Sequence, residues 1–169
     1  MKPAEPDMPE FYQRYINLVQ KDRIHEAIRK NSKLFRKLLR HIPAKKIDYA
    51  YAPGKWTIKQ VLQHIMDTER VFTYRALRFA RRDGQTLPGF DENSWAAHAV
   101  VSTRNWDDMI KEYKHVRKAT ELLFRSFTPD DLRATGTFND VRISVGAIGY
   151  MCAGHVTHHM NVLQQRYFC

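Results

Sequence analysis

Three histidines have the residue type and the spacing expected of a metal site. His155 and His159 lie four positions apart in the segment Gly-His-Val-Thr-His-His, and residues at that spacing share one face of a helix. Both fall on the apolar face of the segment, which should turn toward the protein interior. Two unpaired imidazole rings are costly in a core, and a divalent metal ion would remove that cost. His64, in an earlier segment of helical pattern, is the best-placed third ligand.

This ligand set indicates the chemistry to expect. Three neutral imidazoles leave the charge of a divalent ion uncompensated and at least one coordination position open, which is typical of catalytic rather than structural sites. Such an ion lowers the pKa of bound water or of a bound thiol, so that a nucleophilic anion exists near neutral pH. We therefore expect either attack by a thiolate on an electrophilic carbon or hydrolysis. Imidazole suits zinc, nickel, copper and iron alike, so the ligands do not identify the metal.

Three other residues near these histidines have alternative roles. His158 is three positions from His155 and could also chelate, but it falls at the edge of the apolar stripe, so we place it at the rim of the site. Cys152 is expected to be a core residue rather than a soft metal ligand. Asp67 lies one turn from His64 but points away from the centre of the stripe.

Two charged residues interrupt the apolar stripes of predicted helices. Glu69 falls inside the stripe of the segment that carries His64, and Arg117 falls inside the stripe of the next long helical segment. Because an unpaired charge in a core costs several kcal/mol, we predict that the two form a buried ion pair. The alternative is that Glu69 serves the metal site, as a carboxylate behind the ligands or as a general base.

Hydrophobic periodicity near 3.6 residues predicts an all-helical chain. Thr57 and Gln60 have the spacing of a capping box, Pro43 and Pro129 follow helices, and Ser144 is a candidate helix cap. A small hairpin is expected around the turn at 139–140. Four long helices, with a short one between the second and third, are predicted at about 22–42, 57–82, 91–99, 105–128 and 144–167.

The lengths of the connections constrain how the long helices are arranged. About a dozen residues join the first to the second and the third to the fourth, whereas about twenty separate the second from the third. A long middle connection permits a crossover that leaves the second and third helices parallel. The predicted fold class is all-α, a four-helix bundle that runs up-down-down-up with a long crossover between helices 2 and 3. His64 then lies within about one turn of the level of His155 and His159.

The length of 169 residues suits one domain. We assign residues 1–20 to an N-terminal arm, with a loose proline-rich start, and residues 21–169 to a single helical-bundle domain. No apolar run approaches the length of a membrane span, and no signal-peptide core is evident. Only two cysteines occur, Cys152 and Cys169, so no disulfide framework is expected and a cytoplasmic location is the default.

The positive charge is concentrated in the first predicted helix. The chain has 28 Lys and Arg against 18 Asp and Glu, a net charge of +10. Residues 21–46 contain ten basic residues and only two acidic ones, Asp22 and Glu26. Such a face could attract nucleic acid. Phe35 is the only Phe, Tyr or Trp among these charges, and no nucleic-acid motif accompanies them, which favours an ordinary solvated helix face.

Several segments of the chain resemble the DinB-like superfamily, four-helix-bundle proteins named for DNA-damage-inducible members. The combination of Gly-Lys-Trp with Gly-His-x-x-His-His is distinctive, and the similarity spans about residues 20–168. The segments that carry it are Tyr51 to Arg70, which contains Gly-Lys-Trp and His64, then Tyr74 to Asp83, Leu87 to Asp91, and Gly154 to His159.

The resemblance implies an up-down-down-up bundle that binds a divalent metal ion, often zinc or nickel, at positions that correspond to His64, His155 and His159. Some members are transferases or isomerases that use bacillithiol, mycothiol or glutathione, which implies a low-molecular-weight thiol and a small-molecule electrophile as partners. We therefore expect a metal-dependent thiol S-transferase. The alternatives are a metallohydrolase and a non-enzymatic stress-response protein that binds nucleic acid or a protein through its basic face. Because relatives often pair, the resemblance also suggests a homodimer.

Overall fold

The computed structural model describes residues 9–20 and 23–168, so the start of the predicted arm at 1–8 lies outside the described residues. None of the described helices combines the length and the apolar character needed to cross a membrane. In chain order the helices and strands are α1 (Glu10–Asn17), α2 (Ile24–Arg40), α3 (Ile58–Ala80), α4 (Glu92–His98), α5 (Trp106–Ser126), α6 (Pro129–Arg133), β1 (Thr135–Phe138), β2 (Val141–Ser144) and α7 (Val145–Val162), which continues as a π-helical turn over Leu163–Tyr167.

The long helices begin where polar side chains satisfy their first backbone N–H groups. Thr57 and Gln60 form the predicted capping box of α3, each side chain accepting a hydrogen bond from the other residue's backbone N–H. Asn105 caps α5 and Ser144 caps α7 in the same way, through one side-chain oxygen. Asp91 caps the short helix α4. These local signals are confirmed, and they explain why the predicted helix starts agree closely with the structure.

The four long helices α2, α3, α5 and α7 form the bundle. Helix α7 packs against α2 and α3, and α5 packs against the same two helices. Consecutive helices α2 and α3 therefore lie across a diagonal rather than side by side. The apolar core divides into two clusters, one toward each end of the bundle. The predicted four-helix bundle is confirmed as a fold class.

Helices α3 and α7, which carry the three histidines, run in opposite directions. The hydroxyl of Tyr167, just beyond α7, donates a hydrogen bond of 2.7 Å to the carbonyl of Trp56, just before α3. Further along α3, His64 lies beside His155, which is earlier in α7. Residue numbers therefore increase along α3 in the direction in which they decrease along α7. This direction brings the middle of one helix against the middle of the other.

Helices α3 and α5 run in the same direction. Lys59 Nζ donates to the carbonyl of Ser102, just before α5, at 3.3 Å. Two to three turns later, Arg70 Nη2 donates to Glu112 Oε1 at 2.6 Å. Residues 81–105, which include α4, return the chain along the bundle from the end of α3 to the start of α5. This long connection also supplies part of the wall of the site described below.

Two short helices, α1 and α6, were not predicted. Helix α1 packs against α7, with Ile16 only 1% exposed and Tyr15 only 5% exposed. The approach is close because a Cβ on Gly154 would lie 1.8 Å from the carbonyl oxygen of Tyr15. The absence of a side chain at Gly154 in α7 therefore allows α1 to pack this closely. A helix of eight residues is too short for its periodicity to be conclusive in sequence, and its packing depends on this distant residue.

The predicted hairpin is confirmed as the antiparallel pair β1 and β2. Asn139 and Asp140, at its turn, both have positive φ angles (47° and 62°), as a two-residue turn of this kind requires. The backbone of Leu87 adds to the edge of β1, accepting from Asn139 N at 3.1 Å and donating to the carbonyl of Thr137 at 3.0 Å. The hairpin thereby holds the segment 87–90 against the C-terminal half of α3.

Candidate metal centre

His64 from α3 and His155 and His159 from α7 bring their ring nitrogens together, and we call these residues the histidine triad. The Nε2 atom of His155 lies 3.1 Å from that of His64 and 3.0 Å from that of His159. One possible ligand atom from each residue lies within 4.8 Å of the others. In the part of the chain that the structure describes, no other three His, Cys, Asp or Glu side chains cluster in this way.

Aromatic rings pack around the triad and hold its orientation. Trp56 lies against His64, with 4.7 Å between ring centroids. Tyr15 from α1 meets the ring of His155 edge-on at 5.4 Å, and Phe72 approaches the same imidazole at 5.9 Å. The imidazoles are therefore fixed by packing from three separate segments of the chain, which is what a preorganised site needs.

Burial keeps the triad neutral. Removal from water lowers the pKa of His64 to about 4, and it holds the pKa values of His155 and His159 well below the ordinary value for imidazole. Neighbouring histidines lower these pKa values further, since each ring disfavours a charge on the others. Neutral imidazole is the form that donates a lone pair to a metal ion.

The hydrogen bonds of the triad fit a metal ion better than they fit an ordinary polar core. A ring nitrogen carries either one hydrogen or one lone pair, so Nε2 of His155 makes at most one well-directed hydrogen bond although two other Nε2 atoms lie within 3.1 Å. A cation would accept all three lone pairs at once. The hydroxyl of Thr68 lies 3.4 Å from Nδ1 of His64, where it can accept the Nδ1 hydrogen and leave Nε2 free as a ligand.

A cavity of about 240 Å³ opens onto the triad. Polar side chains also reach it, among them Arg14, Arg75, Glu92 and His158. A cleft that combines an apolar wall with a few polar groups is the usual form of a small-molecule site. Six aromatic side chains form its apolar wall: Phe11, Tyr12, Tyr15, Trp56, Phe72 and Phe90.

His158 and Asp67, the competing residues, lie outside the triad. His158 is half-buried in the wall of the cleft, where its ring meets that of Tyr15 at 5.5 Å and that of His159 at 5.1 Å. Asp67 accepts hydrogen bonds from Gln63 at 2.9 Å and from Arg70 at 3.3 Å. Neither residue belongs to the cluster of three ring nitrogens.

The predicted ion pair between Glu69 and Arg117 is confirmed. Arg117 Nη1 donates to Glu69 Oε2, and the two side chains are 1% and 2% exposed, respectively. Arg117 also donates to the side chain of Asn31 and to the carbonyls of Ile28 and Cys152, the last two at 3.0 Å. This ion-pair cluster, made of Arg117, Glu69 and Asn31, links all four long helices. Glu69 is engaged there rather than at the triad.

Cys152 is a core residue, as predicted. Its side chain is buried and free of any disulfide, and burial raises the pKa of its thiol well above the ordinary value. A protonated, buried thiol is neither a ready metal ligand nor a nucleophile. Cys169 lies outside the described residues.

Arg75 and helix α1 also contribute to the site, and neither is predicted from the sequence. Arg75 lies on the inner face of α3, three positions after Phe72 and four before Phe79, so its spacing within the apolar stripe was a usable signal. The residue as a whole is 3% exposed, and burial lowers the pKa of its guanidinium. Tyr15, by contrast, gave no such signal, because its place beside the triad depends on the docking of α1.

Comparison with known proteins places the chain in context. YfiT from Bacillus subtilis, described as a probable metal-dependent hydrolase with an unusual four-helix bundle topology, is 18% identical, with a TM-score of 0.69 over 98% of this chain and 90% of that one. A mycothiol-dependent maleylpyruvate isomerase is 13% identical, with a TM-score of 0.65 over 93% of this chain. A mutant of the same isomerase gives a TM-score of 0.65 at 12% identity. At these identities the likeness shows a shared fold.

Two further comparisons bear on family membership. This chain spans only 61% of the length of the isomerase, which therefore contains a substantial additional region. Among curated proteins, none is significantly similar in sequence to the present chain. The family model for the DinB superfamily matches residues 27–163, a range that includes every member of the histidine triad. Because that match spans most of the chain, the protein belongs to the DinB superfamily.

Proposed function

We propose that this protein is a metal-dependent enzyme in which His64, His155 and His159 bind one divalent metal ion at the base of the cleft. The observation that carries the proposal is the meeting of three neutral ring nitrogens beside an open cavity. A sealed triad would favour a purely structural ion, whereas access from a cleft favours catalysis. The description of YfiT as a probable metal-dependent hydrolase also supports the proposal.

The reaction we propose is transfer of a low-molecular-weight thiol to an electrophilic carbon of a small molecule. A bound zinc or nickel ion would lower the pKa of the thiol, so that its thiolate forms near neutral pH. The shared fold with a mycothiol-dependent isomerase supports a thiol cosubstrate. The thiol must come from outside the protein, because Cys152 is buried with a raised pKa.

The residues of the chain would contribute position and environment. Thr68 would hold the ring of His64 with its Nε2 lone pair toward the centre. Trp56, Phe72 and Tyr15, whose rings pack against His64 and His155, would help to exclude water from the reacting groups. Burial keeps the imidazoles in the neutral state that ligation requires. These contributions need no movement of the bundle.

A metallohydrolase is the second candidate, because the same site could activate water instead of a thiol. The description of YfiT favours it. The two reactions differ in the nucleophile and not in the ligands. They are therefore separated by substrate tests rather than by variants of the triad.

A binding function for the basic face is a further candidate. Lys33, Lys37 and Arg40 are exposed on α2, which does not line the cleft. If nucleic acid binds there, its affinity should fall steeply between about 50 and 200 mM salt. Flat or absent binding would reject this candidate. A homodimer stays a prediction from the family resemblance, and light scattering of the purified protein tests it. A cytoplasmic location stays a prediction from the low cysteine content.

The experiment that tests the transferase proposal measures turnover with bacillithiol, mycothiol and glutathione in turn. Monochlorobimane serves as the electrophile, since it becomes fluorescent when a thiol displaces its chloride. We expect turnover by zinc- or nickel-loaded wild-type protein and by His115→Ala, a control at an exposed histidine, but none by His159→Ala. Turnover no faster than in metal-free controls with all three thiols would reject the transferase. Ester hydrolysis under the same conditions would favour the hydrolase.

A further inference from the structure

Arg75 is a buried cation in the wall of the cleft, and the described residues give it no carboxylate partner. Its Nη2 donates a hydrogen bond of 2.8 Å to the carbonyl of Pro88. Its guanidinium carbon lies 4.0 Å from the centroid of the Phe138 ring. Within residues 9–20 and 23–168, these contacts leave most of its five N–H donors without an acceptor.

The comparison with Arg117 shows how unusual this environment is. Both arginines are almost completely buried, at 3% and 1% exposed. Arg117 is neutralised by Glu69. Among the described residues, Arg75 instead meets a backbone carbonyl, two phenylalanine rings and the side chain of Tyr12, and no carboxylate. An uncompensated buried charge opposes folding, and an apolar residue of similar volume would be easier to accommodate. A ligand that supplies the missing negative charge explains why an arginine is useful here.

The charges around the cleft indicate the kind of anion. Arg14 and Arg75 contribute two positive charges to its lining, and Glu92 contributes one negative charge. Glu92 would repel a dianion such as a phosphate more strongly than a monoanion. A guanidinium presents parallel N–H groups that match the two oxygens of a carboxylate. Six Phe, Tyr and Trp side chains also line the cleft and suit an apolar body.

We infer that the cleft binds a small organic carboxylate, whose anionic group pairs with Arg75 and whose apolar part lies along the aromatic wall. Arg75 is eleven positions after His64, or about 16 Å along the axis of α3, so a ligand that reaches both is elongated. The inference deepens the proposed function and rests on it for the use of the cleft as a substrate site. Pairing with Arg75 itself does not require the metal.

The test compares a carboxylate with its neutral amide. Phenylbutyrate and phenylbutyramide have nearly the same shape and are small enough for a cavity of about 240 Å³. Isothermal titration of metal-free wild-type protein should show the carboxylate binding at least about tenfold more tightly. Arg75→Gln should lose this preference, and Arg81→Gln, which removes an exposed arginine at the end of the same helix, should keep it. Equal binding of both ligands to wild-type protein, or no binding of either, would overturn the inference.

A structural role for Arg75 makes a different prediction. If its main function is to brace the segment around Pro88, Arg75→Gln should lower the melting temperature and leave any carboxylate preference intact, and that result would overturn the inference. We expect the melting temperature to stay or rise, since an uncompensated buried charge is removed. Should Arg75→Gln fail to fold, Arg75→Lys replaces it. The lysine keeps the charge but loses the paired donors, so its preference should be reduced, and an unchanged preference would contradict the inference.

Repeating the titrations with zinc separates this inference from the proposed function. A carboxylate preference that appears only with zinc, and disappears in His159→Ala, would assign the anion to the metal and overturn the role of Arg75. A preference that depends on Arg75 in protein that binds no zinc would support the inference while the proposed function failed. The inference and the proposed function are both supported if the protein binds zinc and if its preference for the carboxylate, measured without metal, depends on Arg75.

Discussion

The bundle contains two buried polar clusters on the same helices, and they are built differently. In the ion-pair cluster, Arg117 meets a carboxylate, an amide oxygen and two carbonyls from the three other long helices. In the histidine triad, three neutral ring nitrogens face one another beside an open cavity. The first cluster supplies charge compensation for its cation from within the protein. The second presents lone pairs without a donor for each, which supports our proposal that a ligand completes it.

The two clusters also lie next to each other along the chain. Glu69 follows His64 by five positions in α3, and Cys152, whose carbonyl accepts from Arg117, precedes His155 by three positions in α7. The ion-pair cluster therefore fixes α3 and α7 directly beside the triad. Both clusters are buried. The ion-pair cluster balances its charge within the protein, although Glu69 Oε1 and Arg117 Nε make no hydrogen bond, whereas the triad brings three ring nitrogens together beside a cavity.

The largest effect is expected from breaking the ion-pair cluster. Arg117→Met leaves the carboxylate of Glu69 buried without its cation, and we expect the free energy of unfolding to fall by about 3–5 kcal/mol in urea denaturation. Arg133→Met, at an exposed ion pair with Asp130, should change it little. Adding Glu69→Leu to Arg117→Met should restore most of the loss. A single variant as stable as the wild type would show that this cluster is not the scaffold.

A smaller effect is expected from a substitution at Gly154, where α1 packs against α7. In Gly154→Ala the new methyl group would meet the carbonyl of Tyr15 at 1.8 Å, so α1 must move away from α7. We expect a loss of about 1–3 kcal/mol in urea denaturation, together with weaker zinc binding because the ring of Tyr15 leaves His155. Gly84→Ala is the control, since nothing lies within 4 Å of its Cβ. Equal stabilities for the two variants would contradict the close packing of α1.

The smallest effect on folding, and a selective one on the site, is expected at Thr68. Thr68→Val keeps the shape but removes the oxygen beside Nδ1 of His64. Zinc affinity, measured by competition with a chelator, should fall by about 10- to 100-fold while the protein stays folded. Thr73→Val removes a hydroxyl from the same helix that donates to the carbonyl of Glu69 at 2.8 Å, away from the triad. If both variants bind zinc as the wild type does, Thr68 does not orient His64.

Much of the fold and the core of the site could be predicted, because their signals are local or periodic. The spacing of His155 and His159 put both on the buried face, and the charges of Glu69 and Arg117 on apolar stripes required a partner. Capping residues and the turn at 139–140 set element boundaries without reference to the rest of the chain.

The cleft itself could not be predicted, because its walls come from segments that meet only in three dimensions. Helix α1 depends on the space above Gly154, and the segment 87–90 depends on pairing with β1. Arg75 had the same sequence signal as Glu69 and Arg117, a charge on an apolar stripe. No carboxylate pairs with it among the described residues, so matching charges on two apolar stripes could not predict its role.

The most direct test of the central claim measures bound metal by elemental analysis after incubation with zinc or nickel and dialysis. If the triad binds one ion, we expect about one equivalent of metal per chain in wild-type protein and in His115→Ala, and almost none in folded His159→Ala. Wild-type protein that retains neither metal, or His159→Ala that retains a full equivalent, would contradict the claim that the triad is a metal centre.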